Sequence, residues 1–272
     1  MKISQSPQWL AANLDHVKIL DASWYLPSDQ RDCRAEFHAQ HIPNAQFFDI
    51  DAIADHDSDL PHMLPTSDAF ATAVGAMGIS NTDTVIVYDT AGLFSAARVW
   101  WMFRAMGHEQ VYVLEGGMPQ WLAQGHPIAT TPSTPTPAKY HATLNPNRVV
   151  NAQQVLTTKT QIADARPNAR FLGQAPEPRP NTRSGHIPNS KNLFFKLLLD
   201  AQGRLLPEAE LRKQFQNADL DPEQPIITSC GSGVTAAILA MALARLGNTE
   251  TSLYDGSWSE WGARDDLPIA TD

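Results

Sequence analysis

Cysteine is nearly absent from this 272-residue sequence: Cys33 and Cys230 are the whole complement. Two thiols so far apart exclude a disulfide framework and a cysteine-rich zinc site. No apolar run is long enough to span a membrane, so no membrane partner is expected. Met1-Lys2-Ile3-Ser4-Gln5-Ser6-Pro7 lacks the apolar core of an export signal. An excess of positive charge is missing too. The formal net charge is −9 and the pI about 5.4, so the basic face needed for nucleic acid is not there. What remains is an acidic globular chain with free thiols, for which a reducing cytoplasm is the natural setting. Its length suits one large or two ordinary domains.

One of the two cysteines has an informative setting. Pro225-Ile226-Ile227-Thr228-Ser229-Cys230-Gly231-Ser232-Gly233-Val234-Thr235-Ala236 predicts a short buried strand, a tight loop opening on the thiol, and a helix from Gly233 to Leu246. A lone cysteine is more often a small buried hydrophobe, but a strand-to-helix turn between Ser229 and Gly231 is poorly explained by burial. Free backbone N–H groups and the positive end of the helix dipole point into such a loop. Two glycines let successive N–H groups converge. An anion is stabilised there, which favours a thiolate nucleophile.

The chain also repeats itself. Ile19-Leu20-Asp21-Ala22, His41-Ile42-Pro43-Asn44, Val85-Ile86-Val87-Tyr88-Asp89, Leu114-Glu115-Gly116-Gly117 and Trp121 come first. They recur roughly 140 residues further on as Ile162-Ala163-Asp164-Ala165, His186-Ile187-Pro188-Asn189, Ile226-Ile227-Thr228-Ser229-Cys230, Tyr254-Asp255-Gly256-Ser257 and Trp261. Short β-rich runs (Val85–Tyr88, Val111–Leu114) alternate with helical stretches (Ser95–Met106, Gly233–Leu246), the latter ending at Gly107 and Gly247. This alternation predicts an α/β fold: two tandem domains, each a mainly parallel sheet flanked by helices. The expected division is residues 1–129, a Pro/Thr-rich linker over 130–147, and residues 148–272. Ligands in such folds bind beyond the carboxyl ends of the strands, where Cys230 lies. Asp89 stands where the second copy has Cys230, and a carboxylate cannot carry a persulfide. The first copy is therefore expected to be catalytically silent, with Asp89 capping its own loop. His41 and His186 occupy equivalent points in both copies, which suits a role in the fold.

These motifs resemble the two-domain rhodanese sulfurtransferases along nearly the whole length. The marks are Leu20-Asp21-Ala22-Ser23-Trp24-Tyr25-Leu26-Pro27, both His-Ile-Pro boxes, Arg98-Val99-Trp100-Trp101-Met102-Phe103-Arg104, Tyr254-Asp255-Gly256-Ser257-Trp258 and the cysteine loop. The loop Cys-Gly-Ser-Gly-Val-Thr is similar to that of the 3-mercaptopyruvate sulfurtransferases. Thiosulfate sulfurtransferases usually place basic residues directly after the cysteine. The resemblance implies that Arg170 and Arg179 clamp the substrate's carboxylate and ketone, a task suited to the planar guanidinium fork. Without it, both would be taken for solvated surface charges. Leu172 stands where some relatives carry a further basic residue. The resemblance also implies that Asp51 and His62 line up with Ser232 as a proton relay reaching across from the silent half.

The expected chemistry is double displacement through a persulfide on Cys230. The N–H groups of Gly231, Ser232, Gly233, Val234 and Thr235 hold the persulfide, and no metal or organic cofactor is needed. The expected acceptor is cyanide, a small thiol or a protein thiol such as a thioredoxin-like protein. Three alternatives stand beside this. A thiosulfate sulfurtransferase would share most of the motifs. A non-catalytic sulfur-relay or interaction module would also keep the loop. A cysteine phosphatase needs Cys-x5-Arg, and here the sixth residue after Cys230 is Ala236.

Overall fold

The computed structural model describes residues 1–272. In the first half, β1 (Ser4–Gln5), α1 (Pro7–Ala11), β2 (Lys18–Asp21), α2 (Cys33–Ala39) and β3 (Ala45–Phe47) are followed by α3 (Ser67–Ala76), β4 (Val85–Tyr88), α4 (Ala96–Ala105), β5 (Val111–Leu114) and α5 (Gly117–Ala123). The second half repeats the series with β6 (Val149–Val150), α6 (Ala152–Thr157), β7 (Gln161–Asp164), α7 (Asn168–Phe171) and β8 (Lys191–Asn192), then α8 (Glu208–Asn217), β9 (Ile226–Ser229), α9 (Ala236–Arg245), β10 (Thr251–Tyr254) and α10 (Ser257–Trp261). Each half forms one five-stranded sheet, in the orders β1-β5-β4-β2-β3 and β6-β10-β9-β7-β8. Every strand pair is parallel. The all-apolar run Val85-Ile86-Val87-Tyr88 suits a strand covered on both faces, and β4 is buried throughout.

The helices after the two loops carry the largest apolar surface. Both α4 and α9 are buried almost all round. A helix with no solvated face must be covered from two sides: each has its own sheet on one side and the other repeat on the opposite one. The main apolar cluster accordingly joins 46 buried residues drawn from both halves, so the two repeats share a single core. Smaller clusters lie on the outer faces of the sheets. The Gly233–Leu246 helix predicted from the sequence starts later, at Ala236. Gly233 has φ 77°, a left-handed conformation that serves the loop and cannot begin a helix.

The Pro/Thr-rich linker has no helix or strand before the 3-10 turn Pro146–Arg148, but it is tied down at its far end. Ala138 N–H donates to the Gly75 carbonyl on α3 (2.8 Å), and Thr143 and Asn145 donate to the end of α4 through the carbonyls of Met106 and Ala105. His41 and His186 pin each repeat's last segment. His41 pairs with Ala129 and His186 with Ala270 in antiparallel bridges. Their rings stack on Phe37 and Phe171.

The repeats solve one problem in two ways. Asp21 and Asp164 are equivalent buried carboxyls at the ends of β2 and β7. Asp164 faces Arg166, two residues on, at 2.7 Å. The first repeat has Ser23 at that place, and burial with no cation pushes Asp21 up to about 6. A carboxyl whose value is raised on folding contributes stability that is complete below about pH 4 and is lost as pH rises through about 6. Asp21→Asn should therefore gain on the wild type as pH rises from about 4 to 7, by about 2 kcal/mol. Urea midpoints measured across that range check it; a constant difference would show that Asp21 does not titrate there.

Candidate active site

Cys230 sits at the carboxyl end of β9, 2% exposed. Its loop is held from outside by the start of α10. Ser257 Oγ accepts from Cys230 N–H (3.2 Å), Trp258 N–H donates to the Cys230 carbonyl (3.0 Å), and Ser259 donates to the Gly231 carbonyl through both its amide and its hydroxyl. With the loop carbonyls fixed outward, its amides turn inward. None of the N–H groups from Gly231 to Ala237 donates to a protein acceptor. Gly233 permits this at close quarters, since a Cβ there would lie 2.9 Å from Arg98 Nη1.

The first repeat shows what such a loop holds. Asp89, wholly buried, occupies the position of Cys230 and turns its carboxylate into its own loop. It accepts from Ala91 N–H (3.0 Å), Phe94 N–H (2.7 Å) and Ala96 N–H (2.9 Å). Burial still pushes its carboxyl up, against those hydrogen bonds. By repeat equivalence these donors match Ser232, Thr235 and Ala237. The first repeat's loop is thus filled by the chain's own carboxyl, through three amides of the kind left unpartnered around Cys230.

A cavity of about 760 Å³ opens above Cys230, between the repeats. Trp24, Leu93 and Phe94 line it from the first half. Arg166, Arg170, Arg179, Phe194, Phe195 and the loop residues Gly231, Ser232, Val234 and Thr235 line it from the second. The arginines are in different states. Arg166 is spent: it bonds Asp164, Glu177 (2.9 Å) and the Gly185 carbonyl, and stacks on Trp258. Burial works to lower its guanidinium, but Asp164 and Glu177, with Cys230, together leave it raised. Arg170 commits Nε and Nη2 to Glu177, while Nη2 also lies 3.4 Å from where a Gly231 Cβ would be. Arg179 has no hydrogen-bond or ion-pair partner within the chain. Burial lowers it and nearby Cys230 opposes that shift, so thiol and free cation face one another.

Half of the expected relay is assembled. His62 Nδ1 lies 2.8 Å from Asp51 Oδ1, close but not aligned as a hydrogen bond. Trp24 Nε1–H donates to the other Asp51 oxygen at 3.0 Å and sets its edge against the imidazole. His62 holds the Asp51 carboxyl below the usual carboxylate range. The last link is open: His62 Nε2 is buried without a partner, and no hydrogen bond joins it to Ser232. Neither Asp51 nor His62 lines the cavity, and nor does Cys33.

Arg166, Glu177, Arg98 and Asp255 escape a sequence reading for function. Comparing the repeats offers a signal for two of them. Arg166 matches Ser23, and Arg98, inside an otherwise apolar helix, matches Leu239. Arg98 crosses between the halves. Its Nη1 is 2.6 Å from Asp255 Oδ1 and its Nη2 donates to the His62 carbonyl. Asp255 Oδ2 in turn accepts from Leu64 N–H at 2.6 Å. His62, φ 61°, is thus clamped at its carbonyl and just beyond it.

The family model for the rhodanese-like domain matches residues 6–124 and 149–264. The chain belongs to the rhodanese family, with two copies of its domain. It is 47% identical to thiosulfate/3-mercaptopyruvate sulfurtransferase 1, mitochondrial, of Arabidopsis thaliana, over 97% of this chain and 77% of the relative. Identity to the 3-mercaptopyruvate sulfurtransferase of Escherichia coli K12 is 42%, over 96% and 95% of the two chains. The crystal structure of SseA from Escherichia coli, described as a 3-mercaptopyruvate sulfotransferase with the rhodanese fold, superposes with a TM-score of 0.86. It is 38% identical and covers 95% of this chain and 99% of its own.

The Asp89 arrangement generates a test. Cys230→Asp should fold, accept no sulfur, and melt about 2–5 °C above Cys230→Ala, because the new carboxylate would take up the free amides. Equal melting temperatures would mean that the two loops do not share one receptor geometry.

Proposed function

We propose that the protein is a sulfurtransferase that moves sulfur from 3-mercaptopyruvate through a Cys230 persulfide to a thiophilic acceptor, releasing pyruvate. The observation that carries this is the buried Cys230, beneath a fan of unpartnered amides and facing the unpaired Arg179. The first repeat, residues 1–129, lends its Trp24 face and the His62 segment. The second, residues 148–272, carries the chemistry, and 130–147 is the strap between them.

The steps follow from the residues. Arg179, with its fork free, takes the donor's carboxylate, and Arg170 meets the donor's remaining oxygens with the edge that Glu177 leaves open. The Cys230 thiolate attacks the donor sulfur. The carbon–sulfur bond breaks, its electron pair goes to carbon, and the proton carried by the donor thiol ends on the pyruvate methyl group. The outer sulfur of the persulfide is left with the negative charge, which the loop amides of Gly231 through Thr235 and Ala237 stabilise without reorganising. Asp51 and His62 adjust the proton balance at Ser232, a step that needs the Ser232 hydroxyl to turn toward Nε2. Cyanide, a small thiol or a protein thiol, such as that of a thioredoxin-like protein, then removes the outer sulfur. A free, working thiol suits a reducing compartment, and the cytoplasm is the proposed location. Thiosulfate is a poorer donor, because no cation directly follows Cys230.

Brief exposure to 3-mercaptopyruvate should add one sulfur to the peptide containing Cys230, seen by mass spectrometry. Finding it on Cys33, with Cys230→Ser still active, would sink the assignment. Turnover with cyanide should be more efficient with 3-mercaptopyruvate than with thiosulfate.

Arg179→Ala should lose on the order of tenfold to a hundredfold in kcat/KM for 3-mercaptopyruvate, the worth of one charge-assisted hydrogen bond. Its fold should be untouched, since Arg179 holds nothing else in place. Wild-type kinetics in both Arg179→Ala and Arg170→Ala would make these residues ordinary surface charges.

A further inference from the structure

We infer that Glu177 determines donor specificity, by setting the charge of the pocket to suit a donor with one negative charge. This rests on the sulfur-transfer reading above. Glu177 has the one carboxylate that bridges two of the cavity's guanidiniums. It accepts from Arg166 Nη1 at 2.9 Å and from Arg170 through both Nε and Nη2. Its own side chain is 3% exposed, so solvent screens it little. With Asp164 it completes an alternating buried row, Asp164, Arg166, Glu177, Arg170, in which each cation is matched by an anion. Arg179 stands outside the row, and Asp51 acts on it from the first repeat.

The consequence is selective. The cavity is lined by Arg31, Arg166, Arg170, Arg179 and Lys196, enough cations to attract a dianion, but Arg166 and Arg170 are neutralised by this row and Arg31 is paired with Glu36. Thiosulfate carries two negative charges and 3-mercaptopyruvate one carboxylate, so a unit of pocket charge weighs about twice as much on the first as on the second. Glu177 also occupies the Arg170 fork, whose paired N–H groups would otherwise suit two oxygens of a sulfonate. It therefore disfavours thiosulfate by charge and by geometry at once. The neutral Gly231-Ser232-Gly233 loop does so only by lacking a cation.

The test is the ratio of kcat/KM for thiosulfate to that for 3-mercaptopyruvate, both with cyanide as acceptor, in the full-length protein. A general loss of structure lowers both values together and leaves the ratio unchanged. Glu177→Gln keeps the size and one acceptor oxygen but removes the charge, and should raise the ratio about tenfold or more. Glu177→Asp keeps the charge on a shorter arm, and should hold the ratio within about threefold of wild type even where total activity falls. An unchanged ratio in a folded Glu177→Gln would overturn the inference. So would a Glu177→Asp ratio that rises toward thiosulfate by tenfold, a result that decides the matter even if the glutamine variant does not fold. Wild-type protein that fails to use 3-mercaptopyruvate at all would instead remove the sulfur-transfer reading itself.

Discussion

One buried ion pair, Arg98 with Asp255, ties the two halves into a working unit. Apolar packing of α4 against α9 supplies most of the attraction between the repeats, but apolar surfaces can slide. A buried guanidinium and carboxylate cannot, because either one left unpaired away from water is strongly destabilising. The pair therefore sets the register in which the halves dock. What hangs on it is the site: Arg98 lies against Gly233 of the cysteine loop and grips the His62 carbonyl, while Asp255 accepts the Leu64 amide. The loop that carries the thiol and the segment that brings the imidazole are aligned through the same two side chains.

Around that constraint the molecule is a duplicated unit whose symmetry has been broken in few places. The two sheets have the same strand order. Each repeat also sends a segment over the other's loop: residues 62–64 toward the cysteine loop, and Gln202–Gly203 against the Asp89 loop, where Gly203 packs on Gly92. The breaks are specific. Cys230 replaces a self-filling aspartate, so one cradle is open and the other closed. Arg166 replaces Ser23, so one buried carboxyl, Asp164, is ion-paired, while Asp21 is left to its raised value. Arg98 replaces Leu239 and makes the docking polar on the Cys230 side alone.

Much of this was legible in the sequence because it is local. Hydrophobic runs such as Val85–Tyr88 and Ile226–Ser229 announce buried parallel strands, and Gly107 and Gly247 end helices where expected. The repeat announces two equivalent sheets, and the Asp89 and Cys230 positions tell which loop is closed. Helical apolar spacing continues through Val234 and so predicts an earlier start for α9 than Ala236, because the left-handed Gly233 is a conformational choice that spacing does not encode. The charges of the site were harder. Arg170 and Arg179 look alike in the chain, yet one is held by Glu177 and the other by nothing.

The sequence by itself determined the strand, loop and helix that leave a run of unpartnered amides around Cys230. Those amides belong to consecutive residues, and their directions follow from short-range backbone geometry. Only the tertiary structure decided which of the cavity's four arginines is unpaired, that Asp51 meets His62 with no hydrogen bond onward to Ser232, and that Arg98 reaches Asp255. Ion pairing depends on distances between groups remote in the chain, and the presence or absence of a carboxylate such as Glu177 within reach decides whether an arginine is spent on the fold or left unpaired.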